Sequence, residues 1–366
     1  MAEQAAAVVD EARSLDRLVS GAFQLNASDI HLKSDATPLY RLGGHLRPVD
    51  FPRVDADYLY MLSARLSCRP IDEVRDAKQF EFFCNWKELG RLRGHYYRQR
   101  NSPALALRTI PNQIPSLSQL RLPAAIKQIC ELRRGLVLVT GATGMGKTTT
   151  IAAILNAIAE SSCRHIVTVE DPIEFHIQDH LSSVAQREVG RDVDDYREGL
   201  RSALRQDPDV VMLGEIRDAE TLDVALHASL TGHLVISAVH FTDATTTVEG
   251  IVGMLPSRNQ DSLRHRLSQG LQAIVSQHLL PLRAAAGRVL AAEVMVSEPA
   301  VRACILDPSK TKGIRACLAR NRQTNTLDQS LLQLLESKLI SLESAQATAV
   351  SPGDLMREVN LRRLAT

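Results

Sequence analysis

The sequence predicts an α/β protein in two parts, a small α+β module followed by a larger domain built on a parallel β-sheet with a phosphate-binding loop. From about residue 120 onward, short and almost wholly apolar segments alternate with helical ones. This alternation is typical of parallel strands covered by helices on both faces. A glycine-rich loop, G-x-x-x-x-G-K-T, follows the first apolar segment. The first 110 residues instead mix helical spacing with strand-like alternation.

Composition sets the broad class. The chain has 366 residues, of which 45% are hydrophobic and 23% charged, as expected for a globular protein of about two domains. Lys and Arg number 43 against 42 for Asp and Glu, so the net charge is only +1. Proteins that coat nucleic acid usually carry a larger or more localised basic excess. We therefore expect no nucleic-acid partner.

The cysteines and the first residues indicate the compartment. There are six cysteines, no two of them spaced C-x-x-C, which argues against a zinc ribbon. They are Cys68, Cys84, Cys130, Cys163, Cys304 and Cys317. Acidic residues interrupt the first 20 positions, so no signal peptide is predicted, and the apolar runs are too short to span a membrane. We expect a soluble, cytoplasmic protein with reduced thiols.

The first module is predicted to occupy residues 1–110, followed by a linker at 111–120. Its predicted helices cover 5–20 and 55–68, and its predicted strands cover 27–32, 38–42, 91–100 and 104–110. Gly43 and Gly44 supply a hairpin turn after the second of these strands. Paired prolines in 111–116 interrupt both helical and strand periods, which favours a linker there.

The second domain is predicted to occupy residues 121–366. Its predicted buried strands are 136–139, 165–169, 210–213 and 234–237, with a helix over 147–160 after the glycine-rich loop and an amphipathic helical tail over 326–365.

The glycine-rich loop is the most specific motif. Glycines allow backbone N–H groups to converge on the β- and γ-phosphates, and the N-terminus of the following helix adds a favourable dipole. Lys147 neutralises phosphate charge and the Thr148 hydroxyl ligates Mg²⁺. The predicted nucleotide-binding residues are Gly141, Ala142, Thr143, Gly144, Met145, Gly146, Lys147, Thr148 and Thr149. The alternative, a glycine-rich turn with a surface lysine, does not account for the strand–loop–helix context, so the sequence predicts nucleotide binding.

Acidic residues end two of the predicted strands. One strand runs into Glu215, although Gly214 precedes it where an Asp is usual; the other runs into the acidic segment 170–174, which contains Glu174. Such carboxylates hold metal or polarise water when they line the ligand crevice of an α/β sheet. A strand-end turn and a solvated acidic loop are the alternatives. His233 and His240 bracket another strand, and their odd separation argues against a shared metal.

Four segments, in order, carry a family resemblance. The loop at 141–148, the stretch 166–175, the stretch 205–218 and the segment 231–244 resemble the Walker A, Asp, Walker B and His boxes of the secretion ATPase superfamily. Within it the sequence is most similar to the PilT-like pilus retraction ATPases. The N-terminal segments 27–32 and 91–111 also resemble that family, so the likeness covers most of the chain.

The resemblance implies a homohexameric motor that hydrolyses ATP with Mg²⁺ and thereby retracts the type IV pilus. Pilus retraction drives twitching motility. It implies a PAS-like N-terminal domain and a RecA-like ATPase domain with a C-terminal helical subdomain, ATP lying between the two domains. It also implies an inner-membrane pilus platform protein as partner, with contact to the inner face of the cytoplasmic membrane only through that partner.

Individual roles follow from the same resemblance. Glu215 supports metal and water, and Glu174 is the general base. His233 and His240 fall on the His-box positions. Arginines that close over the γ-phosphate are expected near the end of the N-terminal domain, with one further option in the second domain; the candidates are Arg93, Arg100, Arg108 and Arg217.

The sequence departs from the family pattern in three places. Met145 replaces a small polar residue, which need not impair phosphate binding because the loop backbone does that work. Residues 300–306 are a degraded form of the retraction motif A-I-R-N-L-I-R-E. The tetracysteine motif of assembly motors is absent, which argues against an assembly motor. The second departure leaves room for an ATPase of a type IV secretion or conjugation apparatus, as in DotB-like and VirB11-like relatives. A nucleotide-gated regulatory subunit with little turnover is a third reading, and a nucleic-acid motor is the least favoured.

Overall fold

The computed structural model describes residues 15–284, 287–321 and 324–364. The chain divides between Gln113 and Ile114 into two compact units. The segment just after this division is not a free linker, because Ile114, Leu117 and Leu122 pack against a core cluster of the second unit.

Unit 1 is a six-stranded antiparallel sheet with helices on one face. Residues 15–24 form helix α1; the part of the predicted helix 5–20 that precedes them lies outside the described residues. The other elements are β1 (Asp29–Lys33), β2 (Leu39–Leu42), β3 (His45–Pro48), α2 (Ala56–Ser67), α3 (Ile71–Asp76), β4 (Gln79–Trp86), β5 (Gly90–Gln99) and β6 (Ser102–Pro111). The strand order is β3-β2-β1-β6-β5-β4. The predicted β2–β3 hairpin at Gly43 and Gly44 is confirmed.

Side chains alternate across this sheet. Apolar residues such as Ile30, Leu92 and Leu107 face the helices and form the core of unit 1. The opposite face is polar and carries one row of directly opposed residues, one from each of strands β2, β1, β6, β5 and β4. They are Arg41, Asp29, Arg108, Arg93 and Phe83.

Unit 2 contains a seven-stranded sheet in the order β13-β12-β7-β11-β10-β8-β9, parallel except for the β12–β13 pair. Its strands are β7 (Gly135–Thr140), β8 (His165–Glu170), β9 (Ser183–Glu188), β10 (Val210–Glu215), β11 (Leu234–Val239), β12 (Leu271–Pro281) and β13 (Arg288–Val296). Its helices are α4 (Ala125–Glu131), α5 (Lys147–Ser161), α6 (Tyr196–Ala203), α7 (Ala219–Leu230), α8 (Ala244–Gly253), α9 (Ser257–Gly270), α10 (Pro299–Leu306), α11 (Ile314–Arg320), α12 (Leu327–Glu336), α13 (Leu342–Thr348) and α14 (Pro352–Leu364).

The sheet of unit 2 is buried on both faces, as its apolar strands predict. Along β7, Leu136 and Leu138 belong to one core cluster, whereas Val137 and Val139 belong to the other. The four predicted buried strands and the helix after the glycine-rich loop are confirmed as β7, β8, β10, β11 and α5. The tail is helical as predicted, but it is divided into α12, α13 and α14, which pack around a separate apolar cluster.

Candidate active site

The loop between β7 and α5 has the backbone of a phosphate site. Gly141 adopts a φ of +146°, and a Cβ there would lie 2.7 Å from the carbonyl oxygen of Gln277. Gly146, at a φ of +82°, is the N-cap residue of the 15-residue helix α5. Both positions require glycine, since other residues are strained at such φ values. The loop thus presents its N–H groups at a helix N-terminus, where phosphate is bound favourably.

Lys147 is held inside this loop. Its side chain is buried, and Nζ donates to the carbonyl oxygens of Gly141 at 2.7 Å and Ala142 at 3.0 Å. Burial lowers the pKa of Lys147, and the nearby charge of Glu215 partly offsets that effect. A cation that is partly stripped of water and aimed along the loop is suited to neutralise phosphate oxygens.

Met145 and its neighbours fasten the loop from outside. The Sδ atom of Met145 accepts the backbone N–H of Leu279 at 3.2 Å, and Arg288 donates to the carbonyl oxygen of Gly144 at 3.1 Å. Ala142 and Thr143 are exposed, and Thr149 is half-buried on α5. Met145, the residue that departs from the family pattern, therefore directs its side chain toward β12, away from the phosphate-binding backbone of the loop.

Glu215 ends β10 and has two basic neighbours. His240 Nε2 donates to Glu215 Oε2 at 2.6 Å, and Arg217 pairs with the other carboxylate oxygen. Burial acts to raise the pKa of Glu215, but the hydrogen bonds from Arg217 and His240 outweigh it and leave the pKa lowered. Glu215 is therefore an ionised carboxylate at neutral pH.

His240 connects Glu215 to the phosphate loop. Its other ring nitrogen, Nδ1, lies 3.4 Å from Lys147 Nζ. A carboxylate only accepts and an ammonium only donates, so these contacts fit the neutral ring with its proton on Nε2. His233 precedes β11 at the opposite end, where its Nδ1 lies 3.1 Å from the carbonyl oxygen of Ala228. The structure brings His240, and not His233, together with Lys147 and Glu215.

The chemistry of the donor set fits Mg²⁺. Thr148 lies half-buried in the first turn of α5, and its hydroxyl and the Glu215 carboxylate are the hard oxygen donors that Mg²⁺ prefers. Among the described residues no group of three or more His, Cys, Asp or Glu side chains could hold a metal unaided. Few protein ligands are usual for Mg²⁺, which is commonly bound together with substrate phosphates.

The last residue of β8 is a buried carboxyl that sequence reasoning did not single out. Glu170 is 5% exposed and accepts hydrogen bonds from Thr168 Oγ1 at 2.7 Å and Gln186 Nε2 at 2.9 Å. Burial raises the pKa of Glu170 to about 7, although these two hydrogen bonds oppose the shift. Glu174 is half-buried in the following loop. Glu170 could have been noticed as the residue at the strand end itself.

The four arginine candidates occupy three different places. Arg93 and Arg108 are cross-strand neighbours on the polar sheet face of unit 1, where Arg93 pairs with Glu81 at 2.9 Å and Arg108 Nε with Asp29 at 3.1 Å. Arg100 lies in the β5–β6 turn at a φ of +49°. Arg217 belongs to unit 2 and pairs with Glu215.

The arrangement of unit 2 defines its class. A phosphate loop leads from β7 into α5, and an acidic strand end lies on β10, with β11 between the two strands. Phosphate loops and strand-end carboxylates occur together in P-loop nucleoside triphosphatases, and unit 2 is the RecA-like core of such an ATPase.

The family is defined by comparison. The model of the type II/IV secretion system protein family matches residues 3–347, and the chain belongs to this family. A twitching motility protein of Neisseria gonorrhoeae is 37% identical over 316 residues, which cover 86% of this chain and 84% of the relative. The type IV pilus retraction ATPase PilT of Pseudomonas aeruginosa is 34% identical over 348 residues, which cover 92% of this chain and 98% of PilT.

Solved structures agree with this assignment. The crystal structure of the pilus retraction motor PilT with bound ADP superposes with a TM-score of 0.84 at 38% identity, covering 94% of this chain and 99% of that one. The Legionella pneumophila ATPase DotB superposes with a TM-score of 0.82 at 27% identity, covering 91% of this chain and 94% of DotB. No helix within the described residues is long and apolar enough to cross a membrane.

Proposed function

We propose that this protein is an ATP-hydrolysing motor that powers retraction of type IV pili and hence twitching motility. The observation that carries the proposal is the likeness to PilT, which extends over nearly the whole of both chains and includes an ADP-bound structure. The linked Lys147, His240 and Glu215 side chains beside the phosphate loop supply the chemistry that such a motor needs.

The proposed hydrolysis uses the residues in distinct roles. The N–H groups of loop 141–149 and the Lys147 ammonium hold the β- and γ-phosphates. Glu174 accepts a proton from the attacking water while the bond between the γ-phosphorus and the ADP oxygen breaks, giving ADP and phosphate. Thr148 and Glu215 would hold Mg²⁺, which would supply charge neutralisation at the phosphates. His240 keeps the Glu215 carboxylate in one orientation.

Arginines are proposed to stabilise charge that develops on the γ-phosphate. Arg93, Arg108 and Arg217 are supported as candidates because their guanidinium groups are held by carboxylates in defined positions. Arg100 has no such support, since it lies in a turn at the end of the β5–β6 hairpin.

The assembly that we propose is a homohexamer in the cytoplasm. In such a ring, binding and release of nucleotide change the relative stability of conformations and so move subunits. The work is delivered to an inner-membrane pilus platform protein, and the motor meets the inner face of the membrane only through that partner.

A type IV secretion ATPase is the second candidate. It is favoured by the likeness to DotB and by the altered segment 300–306, which forms α10 here. In that helix Cys304 and Ile305 are buried, whereas Leu306, which stands where the retraction motif has its second Arg, is 45% exposed.

Two experiments test the proposal. Deleting the gene should leave cells piliated but unable to twitch; loss of pili would contradict a retraction role, and a transport defect with normal twitching would select the secretion role. In purified protein of measured oligomeric mass, Lys147→Ala, Glu174→Ala and Glu215→Ala should each reduce ATP turnover by roughly a hundredfold or more. Glu220→Ala, at an exposed acid paired with Arg197, is the matched control.

A further inference from the structure

The loop that carries Glu174 is held by side chains of the two strands that it connects. Gln186 Oε1 accepts the backbone N–H of Ile177 at 2.9 Å, and Gln186 Nε2 donates to the carbonyl oxygen of Phe175 at 2.9 Å. Glu188 Oε2 accepts the backbone N–H of Ile173 at 3.2 Å. The loop is thus attached on both sides of Glu174.

Glu170 completes the attachment at Glu174 itself. Its carboxylate accepts the backbone N–H of Glu174 in addition to the hydrogen bonds from Thr168 and Gln186. Glu170 is also linked through Gln186 to the other end of the loop. One nearly inaccessible carboxylate therefore connects the backbone of Glu174 with the side chain that holds Phe175 and Ile177.

Strand register explains why these side chains meet. β8 and β9 are parallel, with Thr168 opposite Gln186 and Glu170 opposite Glu188. Residues two apart on a strand face the same side, so the four side chains form one polar patch on one face of the sheet. Buried polar groups of this kind are costly unless hydrogen-bonded, and here the backbone of loop 173–177 supplies the partners.

We propose that Glu170 is a positioning residue for ATP hydrolysis, which fixes the backbone of Glu174 and, through Gln186, the rest of loop 173–177. The inference rests on the proposed role of Glu174 as general base. Glu170 acts through that residue and does not touch the nucleotide. Small displacements of a catalytic group are expensive, and a shift of about 1 Å can cost roughly a hundredfold in rate.

The substitution Glu170→Gln tests this with almost no change in volume. Thr168 Oγ1 and Gln186 Nε2 both donate to Oε1 of Glu170. A carboxamide keeps one acceptor oxygen and gains an NH₂ donor in place of the other, so it cannot reproduce the acceptor pattern of the carboxylate. We expect kcat to fall roughly ten- to a hundredfold, with KM for ATP changed less than about twofold because the phosphate loop is untouched. Hydrogen exchange in the segment 171–178 should accelerate.

A double-mutant cycle tests whether the effect of Glu170→Gln on hydrolysis is exerted through Glu174. If Glu170 acts through Glu174, adding Glu170→Gln to Glu174→Gln should reduce single-turnover hydrolysis no further. Glu293→Gln is the matched control, because Glu293 is an equally buried carboxyl that caps α8 through the N–H of Ala244. Its effect should multiply with that of Glu174→Gln, and it should leave exchange in 171–178 unchanged.

Four outcomes would overturn the inference. An active Glu170→Gln enzyme beside an inactive Glu174→Gln enzyme would remove the positioning role alone. Multiplicative effects of the two substitutions, or unchanged exchange in 171–178, would show that Glu170 acts elsewhere. A fully active Glu174→Gln enzyme would instead remove the proposed base, and the positioning role with it. Should Glu170→Gln fail to fold, Gln186→Leu, which breaks the contacts to Phe175 and Ile177, is measured in the same cycle.

Discussion

His240 Nε2 lies 2.6 Å from Glu215 Oε2, joining residues from the ends of neighbouring strands β11 and β10. Because Lys147 Nζ approaches the other nitrogen of the same ring at 3.4 Å, the imidazole connects the strand-end carboxylate with the phosphate loop. An imidazole held between an anion and a cation has its tautomer and orientation fixed by both. We therefore expect substitution of His240 and substitution of His233, which lie at opposite ends of β11, to affect ATP hydrolysis differently.

We expect His240→Asn to lower kcat for ATP hydrolysis by roughly ten- to a hundredfold, the usual cost of removing a group that orients a metal-binding carboxylate. His233→Asn should change kcat less than about twofold, since His233 contacts Ala228 at the other end of the strand. Steady-state ATPase assays of the two purified variants provide the comparison. Equal losses in both would contradict the assignment of His240 as the orienting residue.

The arginines of unit 1 should differ in how much their substitution lowers kcat, according to their position in the sheet. Arg93→Ala and Arg108→Ala remove neighbouring guanidinium groups from the polar sheet face, and if either neutralises the γ-phosphate, kcat should fall on the order of a thousandfold. Arg100→Ala, in the β5–β6 turn, should leave turnover close to that of the unsubstituted protein. Turnover and oligomeric mass measured on the same samples distinguish loss of chemistry from loss of assembly. A large effect confined to Arg100→Ala would refute this division.

Two glycines of the phosphate loop should differ in what they tolerate. Alanine at either Gly141 or Gly144 is strained by the positive φ, by roughly 1–2 kcal/mol at Gly144, whose φ of +79° is near the left-handed helical region. At Gly141 the new Cβ would also lie 2.7 Å from the Gln277 carbonyl oxygen, whereas at Gly144 it would meet nothing within 4 Å. Urea denaturation should therefore show the larger loss of stability for Gly141→Ala, together with weaker ADP binding. Indistinguishable unfolding midpoints would count against the close approach of β12.

Glu170 should make stability depend on pH. Its folded pKa is about 7 against an ordinary 4.5, so the folded protein retains a proton that the unfolded chain releases between these values. Its contribution to stability is therefore present at the acidic end of this window and is lost as pH rises through about 7. The unfolding free energy of the unsubstituted protein, minus that of Glu170→Gln, should fall from pH 5 to pH 8. A constant difference would show that the carboxyl titrates normally.

The elements predicted best from the sequence are those whose burial is visible in an apolar sequence pattern. β7, β8, β10 and β11 are continuous apolar runs because helices cover both faces of the sheet. Strand β9 was not predicted, since Gln186 and Glu188 make it polar, and these side chains bind a loop. Strand β12 was not predicted either, because buried Ser276 and Gln277 interrupt its apolar run; the Gln277 amide is accommodated by a 2.6 Å hydrogen bond to Thr150.

The same distinction applies to the site. The loop residues and Glu215 could be found because a contiguous motif or a strand end marks them. The partnership of Glu215 with His240 and the attachment of Glu174 through Glu170 depend on strand order and register. Neither is written in any local stretch of the chain. The sequence gives no reason to prefer His233 or His240 as a site residue. Only the direction of β11 distinguishes them, because it places His240 at the end of the strand that faces the site.

The external fastening of the phosphate loop has a consequence for synthesis. The groups that hold it come from much later in the chain, since Leu279 follows its partner Met145 by 134 residues and Arg288 follows Gly144 by 144. A nascent chain therefore emerges from the ribosome with its nucleotide motif complete long before the β12–β13 hairpin exists to support it. Competence to hold nucleotide is acquired late in translation, and a product that stops short of this hairpin carries the motif without the supports that shape it.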